Sequence, residues 1–181
     1  MNIQIDRLHL RKIIPEFREI NNAVQNDKEQ LQQWFWWARV HKFRLFKFLF
    51  MDTVFQRIAH FTQCFSCNYK FIIHVDGKFA GLVGINRLSD SAPHPELWMF
   101  ITPEYQGTSV ASNVMQQIEH FVWTEKHVGK IYTRTDKNNT RAEKLLQAQG
   151  YHKQEVVYDL LPRSFRDNMT HWAKEIGDKK H

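Results

Sequence analysis

The chain has 181 residues, a formal net charge of +6 at pH 7 and two cysteines, which suits one domain over residues 1–181 and excludes a disulfide-rich scaffold. Its basic residues form no concentrated run apart from the Lys179-Lys180 tail, so the charge favours an anionic cofactor or an acidic substrate over nucleic acid. The N-terminus lacks the apolar segment of a signal peptide, and charged residues interrupt the longest apolar stretch, 43–65, so we expect a cytoplasmic protein without a membrane partner.

The first third of the chain predicts one strand followed by helices. Leu8 and Leu10 alternate with polar neighbours, as in a half-buried strand. Apolar residues at helical spacing then predict a helix beginning near Pro15, a second one capped by Asp27, and a long third one over residues 43–65.

Four consecutive aromatic residues, at positions 34–37, fall inside the second predicted helix. Consecutive side chains on a helix cannot all face one core, so some of them should line a cleft or contact a partner. We take Trp34 and Trp37 as candidate substrate contacts. Packing of these rings between two helices is the alternative.

A hairpin follows. Residues 69–75 and 78–87 predict two strands, and the Asp-Gly pair at 76–77 is favoured in two-residue hairpin turns. Gly81 and Gly84 interrupt the second strand and permit a bulge or the close approach of another backbone.

The next stretch predicts a strand, a turn and a helix. The apolar run that begins at Glu96 reads as a buried strand, and Pro103 ends it because proline has no N–H to donate to a neighbour. Thr108 or Ser109 then caps a helix whose apolar positions share one face: Val110, Val114, Ile118 and Val122. A glycine-containing turn at a helix N-terminus presents unbonded N–H groups and the positive end of the helix dipole, which favours an anion.

The last part of the chain predicts four more elements. Residues 130–135 alternate as a strand does, Asn138 or Asn139 begins a helix, and Gly150 ends it. Residues 156–161 predict a further strand. A final helix would begin after Ser164 and carry an apolar face made of Phe165, Met169, Trp172 and Ile176.

The turn at 106–111, Gln-Gly-Thr-Ser-Val-Ala, resembles the Gln/Arg-x-x-Gly-x-Gly/Ala loop that binds the acyl-CoA pyrophosphate in GNAT N-acetyltransferases. The hairpin pattern Asp-Gly-x-x-x-Gly-x-x-Gly at 76–84 is similar to that of the family, as is the pairing of Asn139 with a Gly-aromatic helix end at 150–151. The chain resembles most closely the RimJ/RimL branch, the ribosomal-protein-alanine acetyltransferase type. It departs from the family pattern at Ser109, usually glycine, and at Ala142, usually serine.

The resemblance implies an α/β (α+β) GNAT fold: a mixed central sheet of about six to seven strands, flanked by helices and splayed at the central strands. It also implies direct transfer of an acetyl group from acetyl-CoA to a primary amine, on a protein N-terminus or a small molecule. Residues 43–65 would help to choose the acceptor; the alternative is a core helix whose basic side chains extend to the solvent. A homodimer is common among relatives, so a homodimer is also expected here. A donor with a longer acyl chain is an alternative to acetyl-CoA, because the phenylalanine-rich helix predicted over residues 43–65 could line an extended tunnel for that chain.

The same resemblance assigns candidate site residues. The main chain of the central strand would hold the pantetheine arm, the loop would hold the pyrophosphate, and an asparagine would bond the arm or a water. Those residues are Met99, Phe100, Ile101, Gln106, Gly107, Thr108, Ser109, Val110, Ala111 and Asn139.

Glu96 is the candidate base, because many relatives carry a glutamate at the start of this strand and a carboxylate can relay the proton of the amine. The alternatives are that Glu96 pairs with Arg87 or caps the strand, and His94 is a weaker candidate base. Relatives can use a serine as the general acid at the position of Ala142, and alanine has no hydroxyl. The resemblance therefore assigns no residue to this role.

Two further alternatives concern metal and turnover. His60, Cys64 and Cys67 outline a partial metal site but lack a fourth ligand, so we expect no metal. The departures at Ser109 and Ala142 leave open a degenerate GNAT domain that binds acyl-CoA or a macromolecular partner without turnover.

Overall fold

The computed structural model describes residues 1–7, 69–86, 95–155 and 168–177. These ranges contain seven strands and two α-helices: β1 Ile3–Arg7, β2 Tyr69–Val75, β3 Lys78–Asn86, β4 Glu96–Ile101, α1 Val110–Lys126, β5 Lys130–Asp136, α2 Thr140–Ala148, β6 His152–Gln154 and β7 Met169–Glu175. The strands form one mixed sheet in the order β1-β2-β3-β4-β5-β7-β6. The α/β class and the sheet size predicted from the sequence are confirmed.

The sheet consists of two antiparallel halves. Strands β1 to β4 pair antiparallel in chain order, and β7 pairs antiparallel with both β5 and β6. The halves meet where β4 runs parallel to β5, through the register pairs Glu96↔Tyr132 and Leu97↔Thr133. Within the described residues the two strands pair no further, so the sheet is splayed at its centre, as predicted.

Helix α1 packs against both halves. Its predicted apolar face is buried, since Val110, Val114 and Val122 are 0% exposed and Ile118 is 2% exposed. The same core cluster contains Leu97 of β4 and residues of the other half, Ile131 and Trp172. Burial of each such aliphatic side chain contributes roughly 1.5–3 kcal/mol. This packing joins the halves where main-chain pairing is sparse.

A buried polar cluster fixes the middle of α1 to the second half-sheet. Glu119, on α1, accepts hydrogen bonds from the Tyr151 hydroxyl at 2.9 Å and from the Lys174 ammonium at 2.5 Å. Tyr151 is 2% exposed, and burial together with the neighbouring Glu119 charge raises the pKa of its phenol. The hydroxyl therefore stays protonated and donates to the carboxylate.

The predicted hairpin is confirmed. Asp76 and Gly77 have φ values of 50° and 79°, which is the positive-φ pair that a type I′ turn requires. The register shifts between Ile73 and His74, which marks a β-bulge. Close approach is also confirmed: a Cβ on Gly81 would lie 2.1 Å from the carbonyl oxygen of Phe100.

The predicted final helix is wrong. Residues Met169–Glu175 form strand β7, which pairs with β5 through seven register positions, from Lys130↔Glu175 to Asp136↔Met169. The apolar residues at 169, 172 and 176 have helical spacing, but β5 needs an antiparallel partner for its main-chain groups, and long-range pairing overrides the local pattern.

Two strands were not predicted. Strand β1 covers Ile3–Arg7, just before the strand expected around Leu8 and Leu10, and β6 is a short exposed strand at His152–Gln154. The three N-terminal helices and the strand at 156–161 lie outside the described residues.

Gly81→Ala is expected to lower the free energy of unfolding by about 2 kcal/mol or more, because the new methyl group would overlap backbone rather than a flexible side chain. Gly129→Ala is the matched control: its Cβ would meet its nearest atoms at 3.7 Å and 3.8 Å, which is ordinary contact, and the change should stay within about 0.5 kcal/mol. Urea unfolding measures both. Equal losses in the two variants would contradict the close packing at Gly81.

Candidate active site

The splay leaves main-chain groups of β4 facing the gap between β4 and β5. The N–H of Thr102 donates to the carbonyl of Ala80 on β3 at 2.9 Å. Since alternate residues of an antiparallel strand bond to the same neighbour, the peptide groups of Phe100 also face β3, whereas those of Met99 and Ile101 face the gap. The predicted roles of Met99 and Ile101 agree with this direction. The role predicted for Phe100 gains no support from it.

The turn after β4 leads directly into the N-terminus of α1. A short 3-10 helix, Pro103–Tyr105, is followed by Gly107 with φ of 78° and by Ser109 as the N-cap residue. The Thr108 hydroxyl donates to the carbonyl of Tyr105 at 2.6 Å and accepts from the N–H of Val110 at 3.3 Å. The turn is thereby held in place, and the first-turn N–H groups point out of the helix end.

Ser109 does not strain this turn. Its φ of −73° is ordinary for a residue with a side chain, and the residue is exposed. Gly107, whose φ is positive, is the loop position where glycine relieves backbone strain. The family's usual glycine at the Ser109 position is therefore not needed for this backbone conformation.

The side chain of Gln106 links the end of β4 to α2. Its amide nitrogen donates to the carbonyl of Ile101 at 2.9 Å, and its amide oxygen accepts from the Arg141 guanidinium at 2.5 Å. Arg141 is exposed and brings a permanent positive charge to the loop. Sequence reasoning missed Arg141, because nothing in the local pattern shows that α2 begins beside this turn.

Asn139 is the N-cap of α2. Its side-chain oxygen accepts from the N–H of Ala142 at 3.1 Å, a contact typically worth about 1 kcal/mol to the helix. The side-chain NH2 group has no acceptor among the described residues. Asn139 thus caps the helix through its oxygen and keeps the N–H donors of its amide.

Glu96 lies at the closed end of the gap and is paired with Arg134. The guanidinium donates through Nε to Oε1 at 2.6 Å and through an Nη atom to Oε2 at 2.9 Å, and the two side chains are 12% and 16% exposed. Sequence reasoning missed this partner. The pairing that it considered for Glu96, with Arg87, involves a residue outside the described ranges, as do His94, Trp34 and Trp37.

Comparison with known proteins decides the family. Residues 7–152 match the family model described as an acetyltransferase (GNAT) domain. The chain belongs to the GNAT acetyltransferase family. Spermidine N(1)-acetyltransferase of Escherichia coli (strain K12) is 28% identical over 82 residues, which cover 45% of this GNAT chain and 44% of the relative. The match thus spans less than half of that relative's length.

Solved structures of similar shape confirm the GNAT fold. An acetyltransferase from Salmonella typhimurium that modifies the N-terminal serine of ribosomal protein L7/L12 has a TM-score of 0.74 at 10% identity, covering 98% of this chain and 96% of that one. Spermidine N-acetyltransferase from Vibrio cholerae, in complex with CoA and spermine, has a TM-score of 0.66 at 16% identity, covering 96% and 95%.

The described part of the chain contains no helix that is long and apolar enough to cross a membrane. In the same residues no three His, Cys, Asp or Glu side chains come together in a way that could hold a metal ion. The candidate ligands His60, Cys64 and Cys67 lie outside the described residues.

Ser109→Glu is expected to weaken the binding of CoA by about 10-fold or more, because a carboxylate at this N-cap repels the pyrophosphate. The same charge should leave the helix as stable or slightly more stable, since it favours the positive end of the dipole. Isothermal titration calorimetry measures the affinity, and thermal unfolding measures the stability. Gln117→Glu, the same charge on an exposed position farther along α1, is the control. An unchanged affinity in Ser109→Glu would remove the pyrophosphate assignment.

Proposed function

We propose that this protein transfers an acetyl group directly from acetyl-CoA to a primary amine. The observation that carries the proposal is the gap between β4 and β5, which opens beside the N-terminus of α1. Outward-facing peptide groups of Met99 and Ile101 line the gap, and the N-terminus of α1, where the helix dipole favours an anion, follows β4 by one short turn. A long ligand with a peptide-like arm and a pyrophosphate matches both features.

On the donor side, the loop from Gln106 to Ala111 would hold the pyrophosphate through those N–H groups that do not donate within the turn, as the Val110 N–H does to Thr108. Gly107 gives the turn its shape. Arg141 would add a positive charge beside the phosphates. The peptide groups of Met99 and the N–H of Ile101 would bond the pantetheine arm as a neighbouring strand does, while the Ile101 carbonyl accepts from Gln106. The amide of Asn139 would donate to the same arm.

In the transfer itself, the nitrogen of a neutral amine attacks the thioester carbon and forms the amide bond, and the carbon–sulfur bond breaks. The nitrogen loses a proton, for which Glu96 is the proposed acceptor, directly or through a water. The departing thiolate takes up a proton; with a thiol reference pKa near ~8.5 it is a tolerable leaving group without a dedicated acid.

The acceptor is proposed to be a primary amine of a protein N-terminus or of a small molecule. Similar proteins of both kinds are known, one acting on spermidine and one on a ribosomal protein. Trp34 and Trp37 stay candidate acceptor contacts. A homodimer, a cytoplasmic location and a single domain over 1–181 also stay predictions from the sequence.

The second candidate is a GNAT domain that binds acyl-CoA without turnover. The observation that favours it is the engagement of both carboxylate oxygens of Glu96 by Arg134. One acceptor position on each oxygen is thereby occupied by the guanidinium, which restricts the directions from which an amine proton could reach the carboxylate.

The deciding experiment titrates the protein with acetyl-CoA by calorimetry and then measures CoA thiol release with a panel of amines. Spermidine and a short peptide with a free α-amine represent the two acceptor classes, and the same peptide with an acetylated N-terminus is the matched control. Binding with release on one class supports the enzyme and identifies its acceptor. Binding without release supports the second candidate, and absence of binding overturns both.

Glu96→Gln is expected to lower kcat by about 100-fold or more, the range typical of a lost general base, while the affinity for CoA stays within a factor of two. Glu125→Gln makes the same chemical change on the exposed surface of α1 and should behave as the wild type. Steady-state kinetics and calorimetry give the two quantities. A wild-type kcat in Glu96→Gln would remove this residue from the mechanism.

A further inference from the structure

We infer that Arg134 is a positioning residue, which fixes the Glu96 carboxylate at the closed end of the gap; the inference rests on the proposed function. Main-chain pairing between β4 and β5 ends at Leu97↔Thr133, and Arg134 is the next residue of β5. The first side chain beyond the last register pair therefore reaches back across the two strands to Glu96.

Both side chains lie on the face of the sheet opposite α1. Along β5 the burial pattern alternates, with Ile131, Thr133 and Thr135 buried and Arg134 between them only partly buried. Ile131 belongs to the core beneath α1, so Arg134 lies on the other face. On β4, Leu97 belongs to that same core, which places its neighbour Glu96 on the side of Arg134. The pair thus lies on one face, at the point where the gap begins.

The geometry restricts the carboxylate in both distance and orientation. Two parallel N–H to oxygen contacts, at 2.6 Å and 2.9 Å, hold the plane of the carboxylate in line with the guanidinium. Arginine can do this because its donors form a rigid fork, whereas a lysine ammonium would act as a single point charge. The small exposure of both side chains, 12% and 16%, limits competition from solvent.

The ion pair with Arg134 leaves hydrogen-bond acceptor positions on the Glu96 carboxylate. Each carboxylate oxygen has two lone pairs, and the described contacts from Arg134 use one on each. One acceptor position per oxygen remains for an amine or for a water that relays its proton. Arg134 therefore fixes where that acceptor position lies relative to the thioester in the gap, without touching the reacting atoms.

A residue that positions the proton acceptor should affect kcat and leave the binding of acetyl-CoA alone. Arg134→Met keeps much of the side-chain length and removes the fork; we expect kcat to fall by about 10-fold or more with KM for acetyl-CoA within a factor of two. Arg134→Lys keeps the charge and should recover part of the lost kcat. The double variant Glu96→Gln/Arg134→Met should be about as slow as Glu96→Gln alone, since the two residues act as a unit.

Arg141→Met provides the contrast, because it removes an arginine at the phosphate loop rather than at the carboxylate. It is expected to raise KM for acetyl-CoA several-fold with a smaller effect on kcat. Thermal unfolding is measured for every variant. Should Arg134→Met fail to fold, Arg134→Lys carries the test through its intermediate kcat at wild-type KM.

The outcomes separate the inference from the proposed function. Thiol release by the wild type with an unchanged kcat in Arg134→Met overturns the inference alone. A second pattern also overturns the inference: Arg134→Met loses kcat, stability and CoA affinity together, and Arg134→Lys is no faster than Arg134→Met. A merely structural role of Arg134 predicts that pattern. Acetyl-CoA binding without release by the wild type on any amine overturns the proposed function and the inference together.

Discussion

The apolar face of α1 holds together two half-sheets that main-chain hydrogen bonds scarcely join. Strands β4 and β5 share two register pairs, whereas Val114 and Ile118 of α1 pack in one core with Leu97 and Ile131 from the two halves. Hydrophobic packing is not directional, so it can hold two strands at an angle that a hydrogen-bond ladder would close. The open gap, with its outward-facing peptide groups, is the consequence, and any ligand site between the strands depends on it.

The N-terminus of the same helix favours an anion, and buried contacts join this helix to the core. Its N-terminus follows β4 by one short turn, and Glu119 anchors its middle to Tyr151 and Lys174. Gln106 then links the end of β4 to Arg141 at the start of α2. The loop and the gap are therefore placed relative to each other by the core contacts of α1 and by the side chain of Gln106, and not by the turn alone. This arrangement suits a ligand that is charged at one end.

Local patterns predicted the elements in which local preference and tertiary role agree. The hairpin, the central strand, α1 and α2 were all predicted because their periodicity, turn residues and caps are contained within a few neighbouring residues. The C-terminal segment was assigned to a helix from the spacing of Met169, Trp172 and Ile176, yet it forms β7. Strand β6 has three exposed residues and no pattern to read. In both cases the pairing partner lies far away in the chain, where periodicity carries no information.

The sequence by itself determined the glycine turn, the start of α1 after it, and Glu96 at the beginning of the central strand, because those features depend on adjacent residues. Only the tertiary structure decided which distant side chains contact these features. Arg134 reaches Glu96 across 38 positions of sequence, and Arg141 reaches Gln106 across 35. Such contacts follow from strand register and from the crossover through α1, and a shift of one residue in register would place Arg134 on the opposite face of the sheet.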